Sequence, residues 1–248
     1  MGIEVQNLSK TYRRHRAIIN AVNDISFSVP TGSITGFIGA NGAGKSTTIK
    51  MMTGILTQDA GTISIDGMTF EKNRKDIMRR IGVVFGQRSV LCWDIPIIET
   101  FRLFKDIYRI PTNVYNENLE TFSDILGIGK TMHKPPRQLS LGERMKADLA
   151  ASLLYNPDVL FLDEPTIGID VLSKERIRNF IKKINQTRKT TIILTTHDMS
   201  DIEALCENMI ILEKGTIRYD GTLGGLMYDA HSDNLETIVK NIFAGEAV

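Results

Sequence analysis

Cysteine and tryptophan are nearly absent: the 248 residues include two of the first and one of the second. Cys92 and Cys206 show neither C-x-x-C nor zinc-finger spacing. That argues against a disulfide framework, a redox pair and a structural zinc site, and reduced, buried thiols are expected. No apolar run approaches the roughly 20 residues of a membrane span. Charge of neither sign dominates: 30 Lys and Arg against 29 Asp and Glu leave a net +1. No global field therefore favours nucleic acid or an anionic membrane. The one basic run, Arg13-Arg14-His15-Arg16, lacks interleaved aromatics and reads as a solvated loop, so no nucleic-acid partner is expected. The opening Met1-Gly2-Ile3-Glu4-Val5 has no charged stretch leading into an apolar one, so no signal peptide is expected. Internal repeats, heptads and low-complexity segments are missing too. What is left, 42% hydrophobic and 24% charged, is the composition of an ordinary globular protein.

Within that ordinary composition one stretch stands out, Gly39-Ala40-Asn41-Gly42-Ala43-Gly44-Lys45-Ser46-Thr47, which fits G-x-x-x-x-G-K-[ST]. The run Ser33–Ile38 before it reads as a short buried strand, and the residues after it as the start of a helix. This is the strand–loop–helix context of a phosphate loop. Glycines let the backbone turn successive N–H groups toward phosphate oxygens, and the helix adds its positive dipole end. Lys45 suits the β- and γ-phosphates, and the Ser46 hydroxyl suits Mg²⁺.

The loose alternation over Ile3–Lys10 and Ala21–Val29 predicts strands, with Pro30-Thr31-Gly32 as a turn. Tyr12 falls in the loop after the first strand, where it either stacks on a base or packs beneath the strands; residue type alone leaves both open. Gly61–Ile65 reads as a strand before a tight Asp66-Gly67 turn, and Ile81–Phe85 as a buried strand. From Arg88 the texture turns helical: Ile97–Arg109, Asn116–Leu126 and Gly142–Leu154 have helical apolar spacing, so about 88–157 is expected to be a helical insertion in a parallel α/β core. Strands are predicted at Val159–Leu162 and Thr190–Thr195 around a helix Val171–Ile184, then a hairpin Asn208–Leu212 and Thr216–Tyr219 and a closing helix over about 234–243. The whole is read as one domain.

A phosphate loop needs a carboxylate on its metal side. Asp163 ends the apolar run Val159–Leu162, at the carboxyl end of a buried strand, where ligands bind in open α/β sheets. Glu164 follows directly, so one carboxylate serves Mg²⁺ and the other polarises the attacking water.

Leu139-Ser140-Leu141-Gly142-Glu143-Arg144, shortly before Asp163-Glu164, resembles the signature motif of the ATP-binding cassette (ABC) ATPases. The remainder of that family's ordered set is matched over about residues 3–225. Tyr12 matches the aromatic that stacks on adenine, Gln87 the glutamine that ends the strand before the helical subdomain, Gly168-Ile169-Asp170 the D-loop, and His197 the switch histidine. The resemblance implies a P-loop NTPase core with an antiparallel β subdomain and a helical insertion, ATP and Mg²⁺ as cofactors, and Gln87, Glu164 and His197 as catalytic groups. Ser46, Gln87 and Asp163 would attend the metal, and Ser140 and Gly142 would face the γ-phosphate. In the family the signature of one protomer covers the nucleotide held by the other's phosphate loop. This chain, with one of each, is therefore expected to pair with a second ATPase protomer, a homodimer before a heterodimer.

The signature departs from Leu-Ser-Gly-Gly-Gln at Leu141 and Glu143, and Glu143 is expected to place a charge near the γ-phosphate or to pair with Arg144. Leu91-Cys92-Trp93-Asp94-Ile95-Pro96 resembles the ATPases of ABC-2 type exporters. The implied function is the ATPase subunit of an exporter, peripheral on the cytoplasmic face of the membrane and working through a separate transmembrane subunit. An importer subunit, a soluble ABC ATPase acting on DNA or ribosomes, and a non-catalytic nucleotide sensor are the alternatives.

Overall fold

Strands with apolar residues at consecutive positions must be covered on both faces. The computed structural model, which describes residues 2–14, 17–86 and 88–245, covers them in that way. The chain begins with an antiparallel pair, β1 (Ile3–Arg14) and β2 (Ala17–Val29), then β3 (Ile34–Gly39) and α1 (Lys45–Met52). β4 (Ala60–Ile65) and β5 (Met68–Thr69) form a hairpin whose turn residues Asp66 and Gly67 both have positive φ, the type I′ requirement. α2 (Phe70–Arg80), β6 (Ile81–Phe85), α3 (Ile97–Ile107), α4 (Thr112–Leu126) and α5 (Leu141–Leu153) follow. The remainder is β7 (Val159–Asp163), α6 (Val171–Arg188), β8 (Thr191–Thr195), α7 (Met199–Leu205), β9 (Asn208–Glu213), β10 (Thr216–Thr222), α8 (Leu223–Asp229) and α9 (Leu235–Ala244).

One sheet has the order β2-β1-β4-β5 and the other β10-β9-β3-β8-β7-β6. In the larger sheet β3, β6, β7, β8 and β9 run parallel, so the ends of β3, β7 and β8 lie on one edge. Alternate residues feed two cores. Phe37, Phe161 and Ile193 pack with the smaller sheet and α1, whereas Ile38, Leu160, Leu162 and Leu194 pack with the helices on the other face.

The first hairpin is longer than the alternation implies. Pairing continues through Tyr12↔Ile19 and Arg13↔Ile18, so Tyr12 and Arg13 lie in β1 and not in a loop. His15 and Arg16 lie outside the described residues. Helices α2, α7 and α8 were not among the expected elements. α2 buries only Ile77, α7 is seven residues long and α8 contains Gly224-Gly225. α4 starts a turn earlier than its spacing indicates, directly after Pro111.

Asp148 is unusual in α5. Ala147, Leu149, Ala150 and Ala151 beside it are buried and apolar, and Asp148 itself is 3% exposed. Burial pushes its carboxyl up to about 6, against the pull of the Ser89 hydroxyl, the Val90 and Leu91 amides and the Arg144 guanidinium. An acid whose folded value lies above its unfolded one binds more protons when folded. Stability from this group is therefore full below the unfolded value and is lost as pH rises through about 6. Asp148→Asn removes that titration. Relative to wild type, its denaturant-derived stability should rise between pH 4 and pH 7, by on the order of 3 kcal/mol at most. A pH-independent difference would show that the carboxyl does not titrate in that window.

Candidate active site

The edge where β3, β7 and β8 end gathers the groups singled out in the sequence. Gly44 caps α1 with φ 108°, and a β-carbon there would sit 2.4 Å from the Ala21 carbonyl oxygen. Only glycine fits both that torsion and that approach. The loop thereby brings Asn41 to Thr47 around a cleft of about 410 Å³ that also reaches Glu164 and His197. The Lys45 ammonium donates to the carbonyls of Gly39 (2.5 Å) and Ala40 (3.2 Å). Two of its three protons are thus placed, and the third is available to a phosphate oxygen. Burial lowers the Lys45 pKa, opposed by the negative fields of Glu164 and Asp163.

On the other flank of the loop Ser46, Asp163 and Glu164 line a second cavity of about 380 Å³, with Gly86 at its wall. Thr195, at the end of β8, donates its hydroxyl to Asp163 Oδ1 at 2.6 Å. The Glu164 amide donates to the Thr195 carbonyl (3.0 Å) and hydroxyl oxygen (3.1 Å). Glu164 has φ 55°, a left-handed conformation rare for a non-glycine residue, which these two bonds help to hold. His197 Nε2 meets Glu164 Oε1 at 2.7 Å. One serine hydroxyl and one or two carboxylates beside a phosphate cleft is the donor set that Mg²⁺ uses together with nucleotide oxygens.

Thr195 was not singled out in the sequence, although a hydroxyl ending an apolar strand two residues before His197 was its visible mark. Asp201 was missed as well. It is fully buried and accepts from Thr166 (2.5 Å), Thr196 (3.0 Å) and Arg178 (2.6 Å), joining β8, α6 and the turn after Glu164.

Ser140 and Gly142 are brought together elsewhere, at the start of α5. Ser140 is the N-cap, and its hydroxyl accepts from the Glu143 amide (3.2 Å) while Glu143 Oε2 accepts from the Ser140 amide (2.9 Å). In this capping box the Glu143 carboxylate serves the helix end, and the Ser140 amide is the first cause of its lowered pKa. Gly142 is buried, and a β-carbon there would press on Ile169 and Ser173 at 3.3 Å. The start of α5 is thus packed against residues 168–173, where Asp170 caps α6. Tyr12 is 40% exposed and faces its partner Ile19 across β1 and β2, and Ile19 lines the cleft beside residues 41–47. Gln87 lies outside the described residues.

Residues 22–167 match the family described as ABC transporter. The chain is 30% identical over 236 residues to the ABC transporter ATP-binding protein NatA of Bacillus subtilis, covering 95% of this chain and 96% of the relative. It is 29% identical over 244 residues to a methionine import ATP-binding protein, MetN 1, of Bacillus thuringiensis, covering 97% and 72%. Among solved structures, the ATP-binding subunit of an ABC transporter superposes with a TM-score of 0.88 at 25% identity, over 98% of this chain and 99% of that one. A dimeric ATP-binding cassette bound to ADP and Pi shares the fold, with a TM-score of 0.80 at 24% identity, covering 89% and 98%. A phosphate loop, an Asp-Glu strand end and a histidine on one sheet edge, in a chain matched along nearly its whole length by such relatives, identify an ATP-hydrolysing member of the ABC transporter ATP-binding family.

Proposed function

We propose that this chain is one half of an ATP sandwich that drives export through a separate membrane subunit. The observation that bears most on the pairing is an incompleteness. Among the described residues, the cleft walled by the phosphate loop includes neither Ser140 nor Gly142. Beside them Ile167, Val171 and Leu172 are 43%, 80% and 72% exposed, an apolar corner that a second copy would cover. In the dimer Ser140 of each protomer contacts the γ-phosphate held by the other's loop. Residues 39–47 cradle ATP, with Tyr12 and Ile19 under the base, while Ser46, Asp163 and Gln87 attend Mg²⁺. Glu164 polarises the water, and His197 exchanges its contact with Glu164 for a γ-phosphate oxygen.

No helix among the described residues is long and apolar enough to cross a membrane, which fits a peripheral subunit on the cytoplasmic face. The docking surface is the stretch from Arg88 to Pro96. Leu91 and Ile97 belong to the core, at 6% and 0% exposed, whereas Trp93 and Ile95 are 51% and 40% exposed. A half-exposed tryptophan beside another apolar side chain suits a cytoplasmic helix of the membrane subunit. Export rests on the likeness of residues 91–96 to ABC-2 type ATPases.

Trp93→Ala should leave basal ATPase of the isolated chain near wild type and reduce its binding to membranes that hold the partner subunit by about tenfold, the scale of a lost interface anchor. Unchanged membrane association and transport would remove Trp93 from the interface. Reconstituted vesicles then test direction: ATP added on the side of this chain should move substrate away from it, and accumulation on the ATP side would mark an importer.

A further inference from the structure

Between β6 and α3 the strip 88–96 has little regular structure, yet it is fastened to the arm that bears Ser140. The Ser89 hydroxyl and the Val90 amide both donate to Asp148 Oδ1 on α5, at 2.8 and 2.9 Å. Farther along, Asp94 meets Arg137 at 3.4 Å, and the Arg144 guanidinium lies 5.7 Å from the Trp93 ring centre. The Asp94–Arg137 pair is largely exposed and contributes little. The same holds for a cation over a half-exposed ring. Asp148 is different because it is buried among apolar neighbours of its own helix. A hydrophobic side chain would serve packing at that site, and a carboxylate there destabilises unless it holds something. What it holds is the strip.

The end of the strip that Asp148 holds also adjoins the strand that ends in Asp163. Just before that end, the Gly86 amide donates to the Asp163 carbonyl at 2.7 Å, and the Gly86 backbone lies so close to Glu164 that an added β-carbon would be 2.6 Å from its carbonyl oxygen. Asp148 sits about two helical turns from Ser140 on α5. We propose that Asp148 is a positioning residue for ATP hydrolysis: it fastens the start of the strip, which follows Gly86 beside Asp163-Glu164, to the signature helix, so that the carboxylate end of β7 and the signature helix move as one body. A change on the γ-phosphate side of one protomer is then delivered to the Ser140 that it offers to its partner. This inference rests on the reading of Ser140 as a contact to the partner-bound nucleotide.

The test compares Asp148→Ala, Asp148→Asn and Ser89→Ala, with Trp93, the chain's only tryptophan, as reporter. Asp148→Ala should lower kcat about tenfold while affinity for a fluorescent ATP analogue stays within about twofold, the scale seen for coupling residues. Acrylamide quenching of Trp93 should increase as the strip comes loose. Asp148→Asn keeps the oxygen that accepts from both Ser89 and Val90 and should restore turnover and quenching. Adding Ser89→Ala to Asp148→Ala should change neither further. Wild-type turnover and quenching in Asp148→Ala would overturn the proposal. So would an Asp148→Asn as impaired as the alanine variant, or a parallel loss of melting temperature, analogue affinity and turnover. If Glu164→Gln protein stays monomeric with Mg-ATP, it is the sandwich reading that fails, whereas the quenching comparison and the Ser89 double variant still decide the fastening.

Discussion

Lys45→Ala should abolish ATP turnover, by on the order of 10³-fold, and strongly weaken ATP binding. Lys45 is 7% exposed, and its ammonium is held by the Gly39 and Ala40 carbonyls in the mouth of the phosphate loop. It is also the cation that faces Asp163 and Glu164, whose fields act on its proton affinity. Without it the nucleotide's β- and γ-phosphates would meet two carboxylates with one compensating charge fewer, in a cleft where water screens poorly. The α1 N-terminus and the loop amides remain, so the fold should survive, with a melting temperature within a few degrees of wild type. Phosphate release and binding of a fluorescent ATP analogue check the two parts. Turnover near wild type would contradict the placement of the nucleotide.

Glu164→Gln should separate binding from chemistry. Glu164 holds its position through its own amide, which donates to Thr195, and its side chain meets His197. Glutamine keeps the shape and can still accept from His197, so ATP binding should persist. It cannot take a proton from water, and turnover should fall on the order of 10²-fold or more, as for loss of a general base. Asp163→Asn in the same assay should respond to Mg²⁺ concentration, which Glu164→Gln should not, because the Thr195 hydroxyl orients the Asp163 carboxylate in the cavity it shares with Ser46.

The residues that were legible in the sequence are those whose role is set locally. A glycine-rich loop between a strand and a helix declares itself through its own torsions, and Asp163 through the four apolar residues before it. Residues whose partners come from distant segments were silent. Asp148 stands in an apolar helix, but nothing near it in sequence names Ser89, which is 59 positions away. Thr195 and Asp201 likewise act through β7 and α6. Glu143 shows the reverse case. Its partner is three residues away, in the Ser-x-x-Glu pattern of a capping box, so this contact was open to local reading. Tyr12 was placed in a loop because alternation fades after Lys10, whereas pairing with β2 carries the strand on.

The sandwich itself is tested most directly by sedimentation equilibrium of Glu164→Gln protein with Mg-ATP. Retained ATP should hold two copies together, each phosphate loop closed by the other's Ser140, giving a dimer with two nucleotides. Without nucleotide, or with Ser140→Arg added, the protein should sediment as a monomer. A chain that stays monomeric at high protein and ATP concentrations would contradict the composite site.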